Sequence, residues 1–110
     1  MNAELSEKKC MPCQDQESKL EQGRIEELAG EIEDGWEVVD NHHLHRTFRF
    51  DDFQGPLDFV NQIGEIAEDQ GHHPDICLTY GKVDVKVWTH KVDGLSENDF
   101  IFASKVDKIK

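Results

Sequence analysis

Apolar residues recur along this chain at helical spacing in some segments and at strand spacing in others, so the pattern predicts an alternation of elements. Helical spacing, with apolar residues at i, i+3, i+4 and i+7, occurs in three segments. Its carriers are Ile25, Leu28, Ala29 and Ile32 in the first segment, Phe59, Val60, Ile63, Ile66 and Ala67 in the second, and Phe102, Val106 and Ile109 in the third. The first helix is predicted to end near Gly35. The second has Pro56 in its first turn and ends at Gly71, and the third takes Ser96 as its N-cap.

Alternating apolar and polar residues, which are typical of strands with one buried face, fill the gaps between the helices. In the first gap, Trp36 and Val38 precede an Asp-Asn turn, and Leu44, Phe48 and Phe50 share a face after it that Arg46 interrupts. In the second gap, Ile76, Leu78 and Tyr80 are followed by Val83, Val85 and Val87 across a turn at Gly81. The order α-β-β-α-β-β-α predicts an α+β fold, a two-layer sandwich of a four-stranded antiparallel sheet with helices on one face.

Charge and length exclude several classes of protein. The chain of 110 residues has 24 acidic and 12 basic residues and a net charge of −12, so its average surface would repel nucleic acid. It has no apolar run of about 20 residues and no signal peptide, which predicts a cytoplasmic protein that does not enter a membrane. Residues 1–22 are polar and predict a leader, whereas residues 23–110 predict one small domain. The core of such a domain is thin, and pairing of subunits would supplement it.

Histidines raise the question of a metal site. His43 and His45 lie two apart on a predicted strand and therefore share a face, as two zinc ligands could. The same stretch, which also contains His42, is equally typical of a solvated strand near a turn, and we favour that interpretation. The adjacent pair His72 and His73 is poorly matched to a metal, because neighbouring side chains usually point apart.

The cysteines give no clearer indication. Three cysteines without a secretory signal argue against a disulfide framework. Cys10 and Cys13 form a CxxC in the predicted leader, which is either half a zinc site or a redox pair, and no second CxxC follows. We assign no function to this pair.

Histidines also carry protons near neutral pH, and three of them are predicted to meet. His72 and His73 lie at the junction between the second helix and the third strand, and His90 ends the fourth strand. Because a hairpin brings its two outer ends together, the three side chains are predicted neighbours in space. Acid–base chemistry on a substrate bound between them is therefore the alternative to metal binding.

Two carboxylates are predicted to lie near these histidines. Glu68 precedes His72 by four residues on the last turn of the helix, where it either orients an imidazole or is a plain surface carboxylate. The pattern alone favours the surface carboxylate. Asp99 follows Ser96 in a Ser-x-x-Asp sequence, which predicts a capping box. The turn after His90 also carries the start of this helix back towards the histidines. Asp99 could therefore equally be a catalytic carboxylate.

Several motifs together resemble the pterin-4a-carbinolamine dehydratase family. The stretch "AEDQGHHPDICLTYGKVDVKVWTH" followed by "GLSENDF" has an acid, three residues, His-His-Pro, a hairpin, Thr-His, and Gly-Leu-Ser with an Asp four residues after the Leu. The resemblance extends upstream to "GWEVV" and "TFRFDDF" and so covers residues 25–109. It is specific, because the motifs agree in both residue type and spacing.

The resemblance implies removal of water from 4a-hydroxytetrahydropterin, the product of an aromatic amino-acid hydroxylase, to give quinonoid dihydropterin. It implies no metal and no organic cofactor, and assembly as a homodimer or homotetramer. On the matching positions, His72 and His90 would be the acid–base pair, with Glu68 and Asp99 as supporting carboxylates. His73 would help to bind the pterin, and Trp36 matches a tryptophan near the family's site.

Relatives also suggest a different class of function. Some members of the family bind a transcription factor, and some with eroded sites are assembly chaperones. The three histidines and both carboxylates are present here, which favours the enzyme over a binding module. One departure is Gly71, which stands where animal members often have a polar or acidic residue and removes one supporting group.

Overall fold

The computed structural model of the protein describes residues 19–109, which form three α-helices and four β-strands in the predicted order. The helices are α1 (Gln22–Ala29), α2 (Gln54–Gln70) and α3 (Glu97–Ile109), and the strands are β1 (Glu37–Val39), β2 (His43–Arg49), β3 (Asp75–Thr79) and β4 (Lys82–Val87). A 3-10 turn, His90–Val92, separates β4 from α3. Most of the predicted leader, with Cys10 and Cys13, lies outside the described residues. Within residues 19–109, no helix has the length and apolar character needed to cross a membrane.

The strands form one antiparallel sheet in the order β1-β2-β4-β3. The pairing of Leu44 with Val87 brings apolar positions of β2 and β4 onto one face. Leu44, Phe48, Val83, Val85 and Val87 are buried on this face, in one core with apolar residues of all three helices. The opposite face carries polar, partly exposed pairs such as Thr47 and Asp84. The predicted α+β two-layer arrangement is confirmed.

The helix ends follow the glycines. The chain leaves α2 through Gly71, which has a left-handed backbone with φ of 65°, as its glycine predicted. The first helix ends earlier than predicted, because Gly30, rather than Gly35, closes α1 by donating its N–H to the carbonyls of Glu26 and Glu27. Ile32 therefore lies in a turn beyond the helix, although it remains buried as its spacing indicated.

Arg46, which interrupts the apolar face of β2, joins β2 to α3 at the edge of the core. Its Nη1 donates to Asp107 Oδ1 at 2.8 Å and to Glu33 Oε1 at 3.0 Å, and its guanidinium lies over the Phe48 ring at 4.5 Å. The Trp36 indole N–H donates to the same Asp107 oxygen at 2.8 Å, and the Glu33 N–H donates to the other at 3.1 Å. A cation that faces the core is thus paired and hydrogen-bonded, as a desolvated charge requires.

Arg46→Met is expected to destabilise the fold by about 2 kcal/mol at pH 7, because it leaves the largely buried Asp107 carboxylate without its cation. Burial raises the pKa of Asp107 above its ordinary value of 3.8, against the hydrogen bonds from Trp36 and the Glu33 N–H and the charge of Arg46. The native state thus binds this proton more tightly than the unfolded chain does. The stability that protonated Asp107 contributes is therefore lost as the pH rises through its folded-state pKa. The cost of the substitution should therefore be smaller at pH 4 than at pH 7.

Urea unfolding at the two pH values measures both effects. Arg24→Met is the matched control, because Arg24 makes a 3.0 Å ion pair with Glu27 on the exposed surface of α1, and such pairs contribute no more than about 0.5 kcal/mol. Equal losses of stability in the two variants would contradict the role given to the Arg46 network.

Candidate active site

The carboxylate of Asp99, in the first turn of α3, is fully buried and hydrogen-bonded on both oxygens. Oδ1 lies 2.6 Å from Nε2 of His72. Oδ2 accepts from the Ser96 N–H at 2.9 Å and from the Thr89 hydroxyl at 3.0 Å. The capping interpretation of Asp99 therefore describes one oxygen, and the other oxygen is available to orient an imidazole.

The chain geometry explains why His72 reaches this carboxylate. The left-handed Gly71 turns the chain out of α2, and the His72 N–H still donates to the Ala67 carbonyl at 3.2 Å. The side chain is 12% exposed and its ring meets the Phe102 ring at 6.2 Å between centroids. Nε2 contacts Asp99, whereas Nδ1 has no hydrogen-bond partner among residues 19–109. One ring nitrogen is therefore fixed by the protein and the other is open to a ligand.

His73 and Glu68 form a separate, exposed pair. Nε2 of His73 lies 2.6 Å from Oε2 of Glu68, and the side chains are 61% and 81% exposed. Glu68 thus meets a histidine, as one of its two predicted alternatives required, but the partner is His73 rather than His72. Because solvent screens an exposed pair, its effect is to orient the imidazole more than to stabilise the fold.

His90 lies at the same end of the sheet as His72 but in a different environment. It begins the 3-10 turn instead of ending β4, which stops at Val87. The register that pairs Asp75 with Lys86 would, if continued, set His72 opposite Thr89, and these two side chains do meet on the Asp99 carboxylate. His90 directly follows Thr89 and is exposed.

The ring of His90 is stacked on Trp88, with 4.5 Å between centroids and 5° between planes. Within residues 19–109, no hydrogen bond or ring contact joins it to His72 or His73. The hairpin therefore brings the histidines to one end of the sheet and leaves the space between them unbridged by protein contacts.

Trp36 lies outside this group of contacts. It is 7% exposed, its indole N–H is bonded to Asp107, and its ring meets Phe48 edge-on at 6.1 Å. Its predicted contact with a substrate stays a prediction.

Three residues that contact this group were given no role in it by the sequence interpretation, namely Thr89, Trp88 and His42. Thr89 is 6% exposed and bridges Asp99 and the Ser96 hydroxyl, which lies 2.7 Å from its own. A signal for it existed in the sequence, because a hydroxyl at the buried end of a strand needs a partner. Trp88 and His42 meet through the register of β2 and β4, which no motif in the sequence indicates directly.

The remaining histidines line the open face of the sheet. Burial and the neighbouring charges of Lys86 and His42 lower the pKa of His43 below 6.5. His45 Nε2 lies 3.2 Å from Asp84 Oδ1, and hydrogen bonds from Thr47 and His45 lower the pKa of the Asp84 carboxyl.

Across residues 19–109, no three histidine, cysteine or carboxylate side chains are grouped as ligands of a metal ion.

Comparison with known proteins finds the same family along nearly the whole chain. Residues 18–109 match the family model described as pterin 4 alpha carbinolamine dehydratase. A relative from Rubrobacter xylanophilus with the provisional name pterin-4-alpha-carbinolamine dehydratase is 53% identical over 107 residues, which are 97% of this chain and 99% of that protein. A relative from Alkaliphilus metalliredigens with the same provisional name is 47% identical over 104 residues, 94% of each chain.

A solved structure supports the same relationship. The crystal structure of a transcriptional coactivator/pterin dehydratase from Brucella melitensis superimposes with a TM-score of 0.77 at 34% identity. The match covers 83% of this chain and 97% of the Brucella chain.

Proposed function

This chain belongs to the pterin 4 alpha carbinolamine dehydratase family, and we propose that it removes water from 4a-hydroxytetrahydropterin by histidine acid–base catalysis. The observation that carries the proposal is the buried Asp99 carboxylate. One of its oxygens holds His72 at 2.6 Å, and the other holds Thr89, the residue before His90. One carboxylate thereby sets the relative positions of an oriented imidazole and an exposed one.

The reaction requires two proton transfers and no net oxidation. The bond between carbon 4a and its hydroxyl oxygen breaks, and the oxygen leaves as water after receiving a proton. The neighbouring ring N–H loses its proton, and its electron pair completes a carbon–nitrogen double bond, which gives quinonoid dihydropterin. Two imidazoles placed at the two ends of this path can deliver one proton and remove the other.

The two histidines differ in a way that suits these two tasks. His72 has a carboxylate behind Nε2, which stabilises the imidazolium formed when Nδ1 takes up a proton, so we assign proton removal to His72. His90 is exposed and has no carboxylate bonded to its ring among residues 19–109, so we assign proton delivery to His90. Both residues return to their starting states by exchange with water.

His73 and Glu68 are proposed to bind the substrate. Both side chains are exposed, and their 2.6 Å contact leaves Nδ1 of His73 and the second oxygen of Glu68 without a hydrogen-bond partner among residues 19–109. A pterin presents ring and amino N–H donors along one edge, which these acceptors fit. The resemblance also implied a contact between the substrate and Trp36. Because Trp36 precedes β1, at the end away from the β1–β2 turn, such a contact would need a ligand that reaches that end of the two strands.

The pathway role and the assembly follow as further parts of the proposal. The substrate is the product of an aromatic amino-acid hydroxylase, so the enzyme would support recycling of tetrahydropterin in the cytoplasm, working as a homodimer or homotetramer. The Brucella neighbour also carries the description of transcriptional coactivator. We place the enzyme ahead of a binding role for this chain, because every proposed proton carrier is present and the carboxylate behind His72 is bonded on both oxygens.

The decisive experiment generates 4a-hydroxytetrahydropterin in situ with a hydroxylase and follows its decay by absorbance. We expect the full chain to accelerate the decay in proportion to its concentration, above the rate with the same amount of heat-denatured protein. Decay at the uncatalysed rate in the presence of folded protein would refute the dehydratase and leave the binding role.

A further inference from the structure

The His90 imidazole is held by stacking alone. It has no hydrogen-bond partner for either ring nitrogen among residues 19–109, and its ring lies parallel to the Trp88 indole at 4.5 Å. An exposed histidine without such a contact would sample several rotamers of its side chain. The stack selects one ring plane and leaves both nitrogens open to a ligand.

Trp88 is in turn packed against the histidines of the β1–β2 turn. The register of β2 and β4 that pairs Leu44 with Val87 places His43 beside Trp88. The indole meets the His43 ring at 5.9 Å and the His42 ring at 5.3 Å between centroids. Trp88 therefore has His90 stacked on it and is also in contact with the rings of His42 and His43.

His42 closes this set of contacts back onto the loop that carries His90. Its Nε2 lies 2.9 Å from Oδ1 of Asp93, and the Asp93 N–H donates to the His90 carbonyl at 3.2 Å. Asp93 itself has a left-handed backbone with φ of 50° and ends the 3-10 turn. The path His90, Trp88, His42, Asp93 and back to His90 is thus a closed ring of contacts.

The charges around His42 are compatible with one arrangement of protons. The hydrogen bond from His42 holds the pKa of the Asp93 carboxyl below its usual value, so this carboxylate stays ionised. Nδ1 of His42 lies 3.1 Å from Nδ1 of His43, and burial lowers the pKa of His43, which favours its neutral form. His42 can therefore donate from Nε2 to Asp93 while its Nδ1 shares one hydrogen bond with Nδ1 of His43.

We propose that Trp88 and His42 are positioning residues, which hold the His90 imidazole in the orientation required for proton delivery. The inference rests on the proposed dehydratase function and adds two residues to it. Neither residue needs to touch the reacting atoms. Trp88 fixes the plane of the ring, and His42 fixes both Trp88 and the loop of the 3-10 turn.

Steady-state kinetics of Trp88→Leu test the first residue. Leucine keeps an apolar side chain at the strand end but has no flat face, so kcat should fall about tenfold through misplacement of the proton donor, with KM nearly unchanged. Trp88→Phe restores a flat face and should stay within about threefold of the wild type. Tyr80→Leu is the matched control, because Tyr80 is a 74% exposed aromatic at the other end of the same hairpin, and it should leave both constants unchanged.

The same substitution in the absence of His90 separates positioning from other roles. If Trp88 acts through His90, Trp88→Leu should cause no further loss of kcat in a His90→Ala background. His42→Gln should lower kcat in the wild-type background, by less than Trp88→Leu, and likewise have no effect without His90. A further fall in the His90→Ala background, or a change confined to KM, would overturn the proposal and make Trp88 a direct ligand of the substrate.

Proton NMR provides a readout that does not depend on activity. The stacked indole should shift the two carbon-bound ring protons of His90 upfield, and Trp88→Leu should remove that shift while Tyr80→Leu keeps it. An absent shift in the wild type would overturn the stack itself. A wild type without dehydratase activity would refute the proposed function, whereas an active wild type whose kcat is equal to that of Trp88→Leu would refute only the positioning role.

Discussion

Replacement of His72 and His90 together by alanine is expected to return the decay of 4a-hydroxytetrahydropterin to the rate without protein. Each positioned proton carrier contributes typically about 10² to 10⁴-fold, and the two act in one reaction, so the double loss should be smaller than the product of the single losses. His90 is exposed, so its loss should leave the fold intact. Loss of His72 leaves Oδ1 of the buried Asp99 carboxylate without its hydrogen bond and should cost about 1 to 3 kcal/mol of stability. Circular dichroism and urea unfolding check this alongside the kinetics.

The environments of the two histidines predict a difference between the single variants. Added imidazole should restore part of the activity of His90→Ala, because that side chain is exposed and leaves an open position above Trp88. It should restore much less in His72→Ala, whose side chain is 12% exposed and packs beside Phe102. His45→Ala is the matched control, a histidine bonded to Asp84 on the open face of the sheet. A double variant that keeps more than a third of the wild-type rate would exclude histidine catalysis.

Asp99→Asn is expected to lower kcat by about 10² to 10³-fold, because it reverses the hydrogen bond to His72. The Ser96 backbone can only donate, so the amide oxygen must stay on the side that caps α3. The amide NH₂ then faces Nε2 of His72, which must become an acceptor and moves its proton to Nδ1, the nitrogen proposed to take up the substrate proton. The imidazolium also loses the negative charge that stabilises it.

Nitrogen-15 chemical shifts of the His72 ring measure the tautomer directly and should show protonated Nε2 in the wild type and protonated Nδ1 in Asp99→Asn. Ser96→Ala is the matched control, because it removes a hydroxyl from the same cap and leaves the Asp99 contact to His72 in place. It should destabilise the protein by about 1 kcal/mol and keep kcat within a few-fold. Similar kcat values in the two variants would show that Asp99 serves the helix alone.

The fold was predictable because the burial pattern is strongly periodic. Val83, Val85 and Val87 alternate with polar residues and are all fully buried, and Ile63 and Ala67 form the buried stripe of α2 at the predicted spacing. The predicted end of α1 was wrong, because the stripe of buried apolar residues continues to Ile32 although the backbone has left the helix at Gly30. Apolar spacing reports which side chains are buried, and a tight turn can bury a residue as well as a helix does.

The site was predictable in part, for a similar reason. The hairpin argument places His72 and His90 at one end of the sheet, and the capping box places Asp99 at the start of α3. The choice of partners could not be predicted, because it depends on distances of a few ångström that the register and the rotamers determine together. Glu68 lies on the last turn of α2 within reach of both His72 and His73, and it contacts His73. His42 contacts Asp93 only because two loops distant in sequence approach each other.

The two oxygens of Asp99 have a consequence for how substitutions in this protein should be classified. One oxygen caps a helix whose first two turns are almost entirely buried, and the other lies 2.6 Å from Nε2 of His72, the proposed proton carrier. A screen for soluble expression would score position 99 as structural, and a screen for turnover would score the same position as functional. Neither screen would be mistaken, since the same carboxylate caps the first turn of α3 and holds His72 in the orientation proposed for catalysis.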